Sequence, residues 1–242
     1  MERARGRTGW ARVPEPMPSS AWTFPDAQDM PDDDLVAFGA DLEPSTLIAA
    51  YRAGVFPMPL DFQSSIPLDF QSSSPHDDPP MAWWSPVERG VLEPTALRVS
   101  RSLRQSTRRW SITIDQSFAE VVGLCASLPR RGGWISADIA SAYVRLHELG
   151  WAHSVEARDA NGRLVGGLYG VKIGRLFAGE SMFHLERDAS KVALVRLASL
   201  LADGGEPSLI DVQWPTPHLE SLGVVGVPRS EYLSRLPSLV DS

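Results

Sequence analysis

The 242-residue sequence predicts a mixed α/β protein, with a small N-terminal α/β unit followed by a larger sheet domain with flanking helices. Three observations predict it. Helical stripes and short strands alternate along the chain, so neither an all-helical nor an all-β class fits. Three consecutive strand-like runs are separated by tight turns at Asn161-Gly162 and Ile173-Gly174, the pattern of an antiparallel meander. A strongly apolar helix and one more strand then follow, adding a helical layer to the sheet.

In chain order, residues 1–21 are rich in proline and charge and are expected to form a disordered leader. Weak periodicity continues to the acidic run Asp32, Asp33, Asp34. The small unit spans 22–95. Its helix runs from a Ser45 cap to Arg52, carries Leu47, Ile48 and Tyr51 as an apolar stripe, and stops at Gly54. An insertion at 58–80 holds a tandem octad at 59–74 (PLDFQSSI, PLDFQSSS), too short for a repeat fold and read as an exposed loop.

The larger unit spans 96–242. Extended segments at 90–93 and 96–99 lead into it, then a helix from a Ser100 cap to about Arg109 and a strand at 111–114. Asp115 caps a helix through Leu128, and Ser136 caps another that Gly150 closes after Leu149. The meander covers His153 to Arg158, Arg163 to Lys172 and Arg175 to Phe183. A helix from Ser190 to Ala202 stops at Gly204-Gly205. A strand from Leu209 to Trp214 and one or two short helices finish the chain.

Composition narrows the class. Apolar residues make up 43% of the chain, enough for a packed core, and no stretch approaches a membrane span. The basic N-terminus has no apolar segment behind it, so it is not a signal peptide. Cys125 alone cannot build a disulfide framework or a thiolate zinc site, and it reads as a core residue. The five histidines lack metal-ligand spacing. A cytoplasmic protein without metal or cofactor is expected. The net charge of −7 argues against indiscriminate nucleic-acid binding, but the charge is uneven. Between residues 98 and 131, seven arginines against Asp115 and Glu120 give +5, leaving −12 elsewhere. Such a segment can hold phosphates; a solvated helix face is the structural alternative.

Three further constellations stand out. The loop tryptophans in WWSP (Trp83 to Pro86) and at Trp134 can stack on a base or simply pack. In GESMF (Gly179 to Phe183), strand alternation places Glu180 with Met182. A carboxylate there needs a partner, either a substrate ammonium or a buried arginine. In LIDVQW (Leu209 to Trp214), Asp211 and Gln213 leave one face of a strand and can hydrogen-bond in series. That pair is either structural or able to orient an attacking amine. GGLYGVKIG lacks the strand-to-helix order of a dinucleotide loop, so Gly166 and Gly167 read as a bulge or a close backbone approach.

Taken in order, these segments resemble the bacterial leucyl/phenylalanyl-tRNA–protein transferase family over roughly residues 22–235. The ordered motifs are WWSPVERGVL, ALRVSRSLR, HELGWAHSVE, GGLYG, GESMF and LIDVQW with the following His218 and SLG. The resemblance implies an acetyltransferase-like (GNAT-like) larger domain. It also implies transfer of leucine or phenylalanine, less well methionine, from aminoacyl-tRNA to proteins beginning with arginine or lysine. The product is a destabilising N-terminus that marks the protein for proteolysis. The enzyme would act as a monomer, without cofactor.

By the same resemblance, Asp211 would polarise Gln213, which orients the attacking amine, and Glu180 would receive the aminoacyl α-ammonium. Leu168, Met182, Leu194, Leu197 and Ile210 would line the side-chain pocket. Trp84 and Trp134 would lie beside the terminal adenosine, and Arg101, Arg104, Arg108 and Arg109 would hold the acceptor stem. The sequence departs from the family pattern in the octad insertion, in leucine at both 168 and 197, and in Gln105 within the basic strip. The alternative is an acetyl-CoA-dependent N-acetyltransferase of the same fold. Against it, Arg187 to Val192 lacks the glycines of a pyrophosphate-binding turn. An inert tRNA-binding module is a third reading, disfavoured by the presence of both Asp211 and Gln213.

Overall fold

A computed structural model describes residues 9–10, 12–60, 81–127 and 134–241. The chain runs through β1 (Leu35–Phe38), α1 (Pro44–Arg52), β2 (Phe56–Pro57), β3 (Ala82–Trp84), β4 (Glu88–Leu92), a 3-10 turn at Pro94–Ala96, α2 (Arg101–Ser106), β5 (Ser111–Ile114), α3 (Phe118–Ser127) and α4 (Ala137–Glu148). It continues with β6 (Ala152–Arg158), β7 (Leu164–Ile173), β8 (Leu176–His184), α5 (Ala189–Ala202), β9 (Leu209–Gln213), α6 (Pro217–Ser221), β10 (Val225–Pro228) and α7 (Arg229–Val240).

Two sheets result. The smaller is antiparallel, β1-β3-β2; the larger has seven strands in the order β10-β4-β9-β8-β7-β6-β5. The meander β6-β7-β8 forms as its turns predict, with Gly162 at φ +79° and Gly174 at φ +53°. Then α5 crosses over and β9 returns parallel to β8, which a crossover helix makes possible. β4 lies in the large sheet between β9 and β10, so residue 95 falls after a strand of that sheet. One apolar layer gathers Tyr51 of α1, Phe118 of α3, Tyr143 of α4 and Leu236 of α7. Another places Leu194 and Leu197 of α5 against Leu168, Phe177 and Ile210.

Several elements differ from expectation. α1 begins at Pro44 with Glu43 as its cap, because proline's fixed φ suits the first helical position, and Ser45 lies inside the helix. Gly54 follows at φ +74°. The 96–99 segment is not a strand but leaves the 3-10 turn without a ladder partner. Ser100 does cap α2, accepting from the Leu103 amide, but the helix ends at Ser106, before Arg109. Asp115 does not cap α3. It turns at φ +58°, and its carboxylate accepts from the Ser154 amide at 2.9 Å and bonds His153 Nδ1 at 2.7 Å. The buried Glu156 takes that role, accepting from the Gln116 and Ser117 amides at 3.1 and 3.2 Å.

At the N-terminus, residues 12–15 lie along the end of α4: Arg12 donates to Glu148 O, the Glu15 amide donates to Leu149 O at 2.9 Å, and Trp151 Nε1 donates to Glu15 O. A side chain at Gly150 (φ +80°) would strike Val13 O at 2.6 Å, so that glycine both closes α4 and admits the strap. Gly166 meets its expected role, since a Cβ there would lie 2.5 Å from Ala189 at the start of α5. Cys125 is buried in the core. Residues 1–8, the octads from 61 onward, Leu128, Arg130 and Arg131 lie outside the described residues. No helix among those described is long and apolar enough to cross a membrane.

Candidate functional site

The site lies where β8 and β9 stop pairing. Their parallel register is Leu176↔Leu209, Phe177↔Ile210 and Ala178↔Asp211. Beyond it, Gly179 to Met182 on β8 and Val212 to Gln213 on β9 flank a cavity of about 280 Å³. The C-terminal end of parallel strands is where crevices open in α/β sheets.

All five residues expected in the apolar pocket, Leu168, Met182, Leu194, Leu197 and Ile210, line this one cavity, as do Glu180, Trp134 and Gln213. An adjoining hollow of about 240 Å³ shares Trp134, Glu180 and Gln213 and adds Phe56, Met58 and Trp214. Trp84 lines neither; it stands edge-on to Trp214 at 6.1 Å, with its Nε1 donating to Met58 O at 2.8 Å.

Glu180 and Met182 part company, contrary to simple alternation. Tyr169 pairs with Ser181 and Gly170 with Gly179, so Glu180 is the extra residue of a β-bulge. Its carboxylate turns to α1 and α4: Tyr51 OH donates to Oε1 and Tyr143 OH to Oε2, each at 2.7 Å, and the two phenols lie 2.6 Å apart. Met182 packs instead with Leu168 and Leu194 under α5. Burial pushes the Glu180 carboxyl up to about 7, against the two phenolic hydrogen bonds. These four oxygens make three contacts, while two phenols supply only two protons; a proton on Glu180, donated in turn to one phenol, provides the third and closes the ring.

Asp211 and Gln213 are not joined through their side chains. Gln213 bends into the left-handed region at φ +61°, a conformation that costs about 1–3 kcal/mol for a residue with a side chain. Asp211 Oδ1 accepts from the Gln213 backbone amide at 2.9 Å, while Gln213 Nε2 is buried without a hydrogen-bond partner among the described residues. The buried arginine considered as one alternative partner for Glu180 is not found there; Arg89 holds Asp211, donating through Nε to Oδ1 at 2.8 Å and through Nη2 to Oδ2 at 2.6 Å. Burial works against the Arg89 charge, but Asp211 outweighs it and raises the guanidinium above its usual range.

Arg101, Arg104, Arg108 and Arg109 are exposed on α2 and the turn after it. Neither these nor Arg98 makes an ion pair with a described residue. Arg98 shares a depression with Arg187, Lys191 and Asp188, and these share another with His184, His218 and Met182 at the cavity wall; Lys191 pairs with Asp188 at 3.6 Å, which leaves Arg98 and Arg187 as the cations along this path. Among the described residues no group of three or more His, Cys, Asp or Glu is placed to hold a metal ion.

Tyr51, Arg89, Tyr143, Trp214 and Tyr232 escaped the sequence reading. In the sequence Tyr51 belongs to an apolar stripe, and Arg89 stands beside Glu88 just ahead of the extended segment at 90–93. No local pattern reports that a side chain will meet one from another element, 21 residues away for Tyr232 and Asp211 and 129 for Tyr51 and Glu180.

A family model described as leucyl/phenylalanyl-tRNA protein transferase matches residues 91–237, and that of the same protein's N-terminal domain matches residues 40–61. A leucyl/phenylalanyl-tRNA–protein transferase of Aromatoleum aromaticum is 47% identical over 208 residues, covering 84% of this chain and 80% of its own. One from Thiobacillus denitrificans is 46% identical over 213 residues, 86% of this chain and 85% of that one. A solved structure, a functionally unknown conserved protein of Staphylococcus epidermidis, superposes with a TM-score of 0.39 and 16% identity over 58% of this chain and 57% of that one, too slight a likeness to carry an argument.

Proposed function

The chain belongs to the leucyl/phenylalanyl-tRNA–protein transferase family, and on that premise we propose that it moves leucine or phenylalanine, less well methionine, from aminoacyl-tRNA to the α-amino group of proteins beginning with arginine or lysine. The protein so modified gains an N-terminal residue that marks it for proteolysis. The enzyme works in the cytoplasm as a monomer, and the GNAT-like description of its larger domain belongs to the same proposal. The acetyl-CoA reading finds no support among the relatives.

One observation carries the reading: the five apolar residues converge on a single cavity with a carboxylate at its edge. An unbranched-β side chain fits such a slot, and shape rejects a β-branched one. Glu180, once ionised, receives the aminoacyl α-ammonium. Trp134, and Trp214 ahead of Trp84, offer the aromatic surface for the terminal adenosine, and the cationic run toward α2 supports a phosphate path. The attacking amine forms a C–N bond to the ester carbonyl, the C–O bond to the ribose breaks, and the amine's proton leaves with the tRNA hydroxyl or to solvent. The ester is already activated, so holding the amine in line supplies much of the rate. Gln213 is the group at hand for that. Asp211, engaged by Arg89, acts on the glutamine backbone rather than as a relay through the carboxamide.

The test is transfer of radiolabelled leucine from leucyl-tRNA to a peptide beginning with arginine, with phenylalanyl- and methionyl-tRNA in parallel. Labelled peptide is expected, and none when the arginine α-amine is acetylated. Absence of transfer under conditions where the Thiobacillus relative works overturns the reading.

A further inference from the structure

We propose that Arg89 and Tyr232 are positioning residues for the transfer, acting through Asp211 on the backbone of Gln213. The inference rests on the reading that Gln213 faces the reacting groups. Asp211 is fully buried and its four acceptor positions are all in use: Oδ1 takes Arg89 Nε and the Gln213 amide, and Oδ2 takes Arg89 Nη2 and Tyr232 OH at 3.0 Å. Nothing remains on it for the Gln213 carboxamide. Arg89 is itself fixed on every side. Its Nη1 donates to Gly54 O at 3.0 Å, and its guanidinium lies between the rings of Phe56 at 5.0 Å and Tyr232 at 4.5 Å. Burial and the neighbouring Asp211 push the Tyr232 phenol upward, so it stays a donor to the carboxylate.

The consequence falls on Gln213. β4 and β9 pair as Gly90↔Gln213 and Val91↔Asp211 with an irregular register between them, so the strand is already bent at this point. A left-handed glutamine persists only where its surroundings dictate the bend. The carboxylate accepting its N–H does so, and it keeps the side chain, with its unpartnered Nε2, in the wall shared by both hollows. Asp211 is thus the link and Arg89 with Tyr232 the clamp.

The test has a kinetic and a spectroscopic arm. Tyr232→Phe and Arg89→Lys should lower kcat for leucine transfer about tenfold, with KM for leucyl-tRNA within about twofold of wild type, because misplacement rather than binding is at stake. In a Gln213→Ala background the same substitutions should cost nothing further. Equal losses in both backgrounds, or unchanged kcat in both folded variants, overturn the proposal. In the second arm, hydrogen exchange of the 15N-labelled protein should find the Gln213 amide protected in wild type and released in Tyr232→Phe and Asp211→Asn. A Gln213 amide that exchanges as fast in wild type as in Asp211→Asn overturns the clamp whatever the activity. A protected amide in a wild-type protein that transfers nothing overturns the transferase reading while the clamp stands.

Discussion

At the scale of single residues, Glu180 carries the sharpest pH dependence. Its folded carboxyl ionises near 7 instead of near 4.5, so between these values the native state holds a proton that the unfolded chain has lost. Stability therefore falls as pH rises from about 4.5 to 7 and levels off above. Glu180→Gln should remove that slope from the thermal midpoint; an unchanged slope assigns it to another group. Binding runs the other way, because only the ionised carboxylate attracts an ammonium. Single-turnover kcat/KM for leucyl-tRNA should rise as pH passes about 7, and Glu180→Gln should flatten the profile and lower its plateau about tenfold, the cost of one charge-assisted hydrogen bond. A variant with the wild-type profile would clear Glu180 of that role. The residue types were legible in the sequence, but their pairing was not. Strand alternation put Glu180 beside Met182 and Asp211 in series with Gln213, and it failed at both for the same reason: a bulge at Glu180 and a left-handed bend at Gln213 break the period of two.

At the scale of elements, the strands and helices of the large sheet were legible wherever local chemistry specifies them. The two turns of the meander, the Ser136 and Ser100 caps and the stop at Gly150 belong to this class. The misreadings arise where a distant side chain displaces the local one. Asp115 precedes α3 and suits a cap, yet the amides there are taken by Glu156 of β6, whose carboxylate also accepts from Thr113 and Ser154 hydroxyls at 2.6 Å. Glu156 thus ties β5, β6 and the start of α3 together while fully buried. Glu156→Ala strands four donors at once and should cost about 3 kcal/mol or more, read as a shift of the urea midpoint at constant m. Glu156→Gln, which keeps two acceptor sites, should cost less than half of that. A loss below about 1 kcal/mol for the alanine variant would mean that the donors find water, and that α3 does not depend on this cap. The N-terminal strap was unreadable in the same way, because its contacts are to backbone oxygens of α4 and to Gly150, which no composition reports.

At the scale of the whole molecule, the net charge of −7 and the basic segment have to act together. The arginines of α2 and its following turn are exposed and without ion pairs to described residues, so their field is not cancelled locally. Screening confines that field to about 8–10 Å at moderate salt, so a polyanion feels it only when it lies against this face, while the acidic remainder repels the rest. An enzyme that takes one amino acid per visit and must then release the spent tRNA suits such an uneven surface. Each arginine touching a phosphate releases about one counterion, so reversing Arg101 and Arg108 to glutamate should flatten the slope of log K against log salt by about two units and weaken tRNA binding. The transfer step itself, followed at saturating leucyl-tRNA, should change little, because neither residue lines the hollows. Filter-binding titrations at several salt concentrations measure the slope. If it stays at the wild-type value, the acceptor stem lies on another face and the positive segment is only a solvated helix surface.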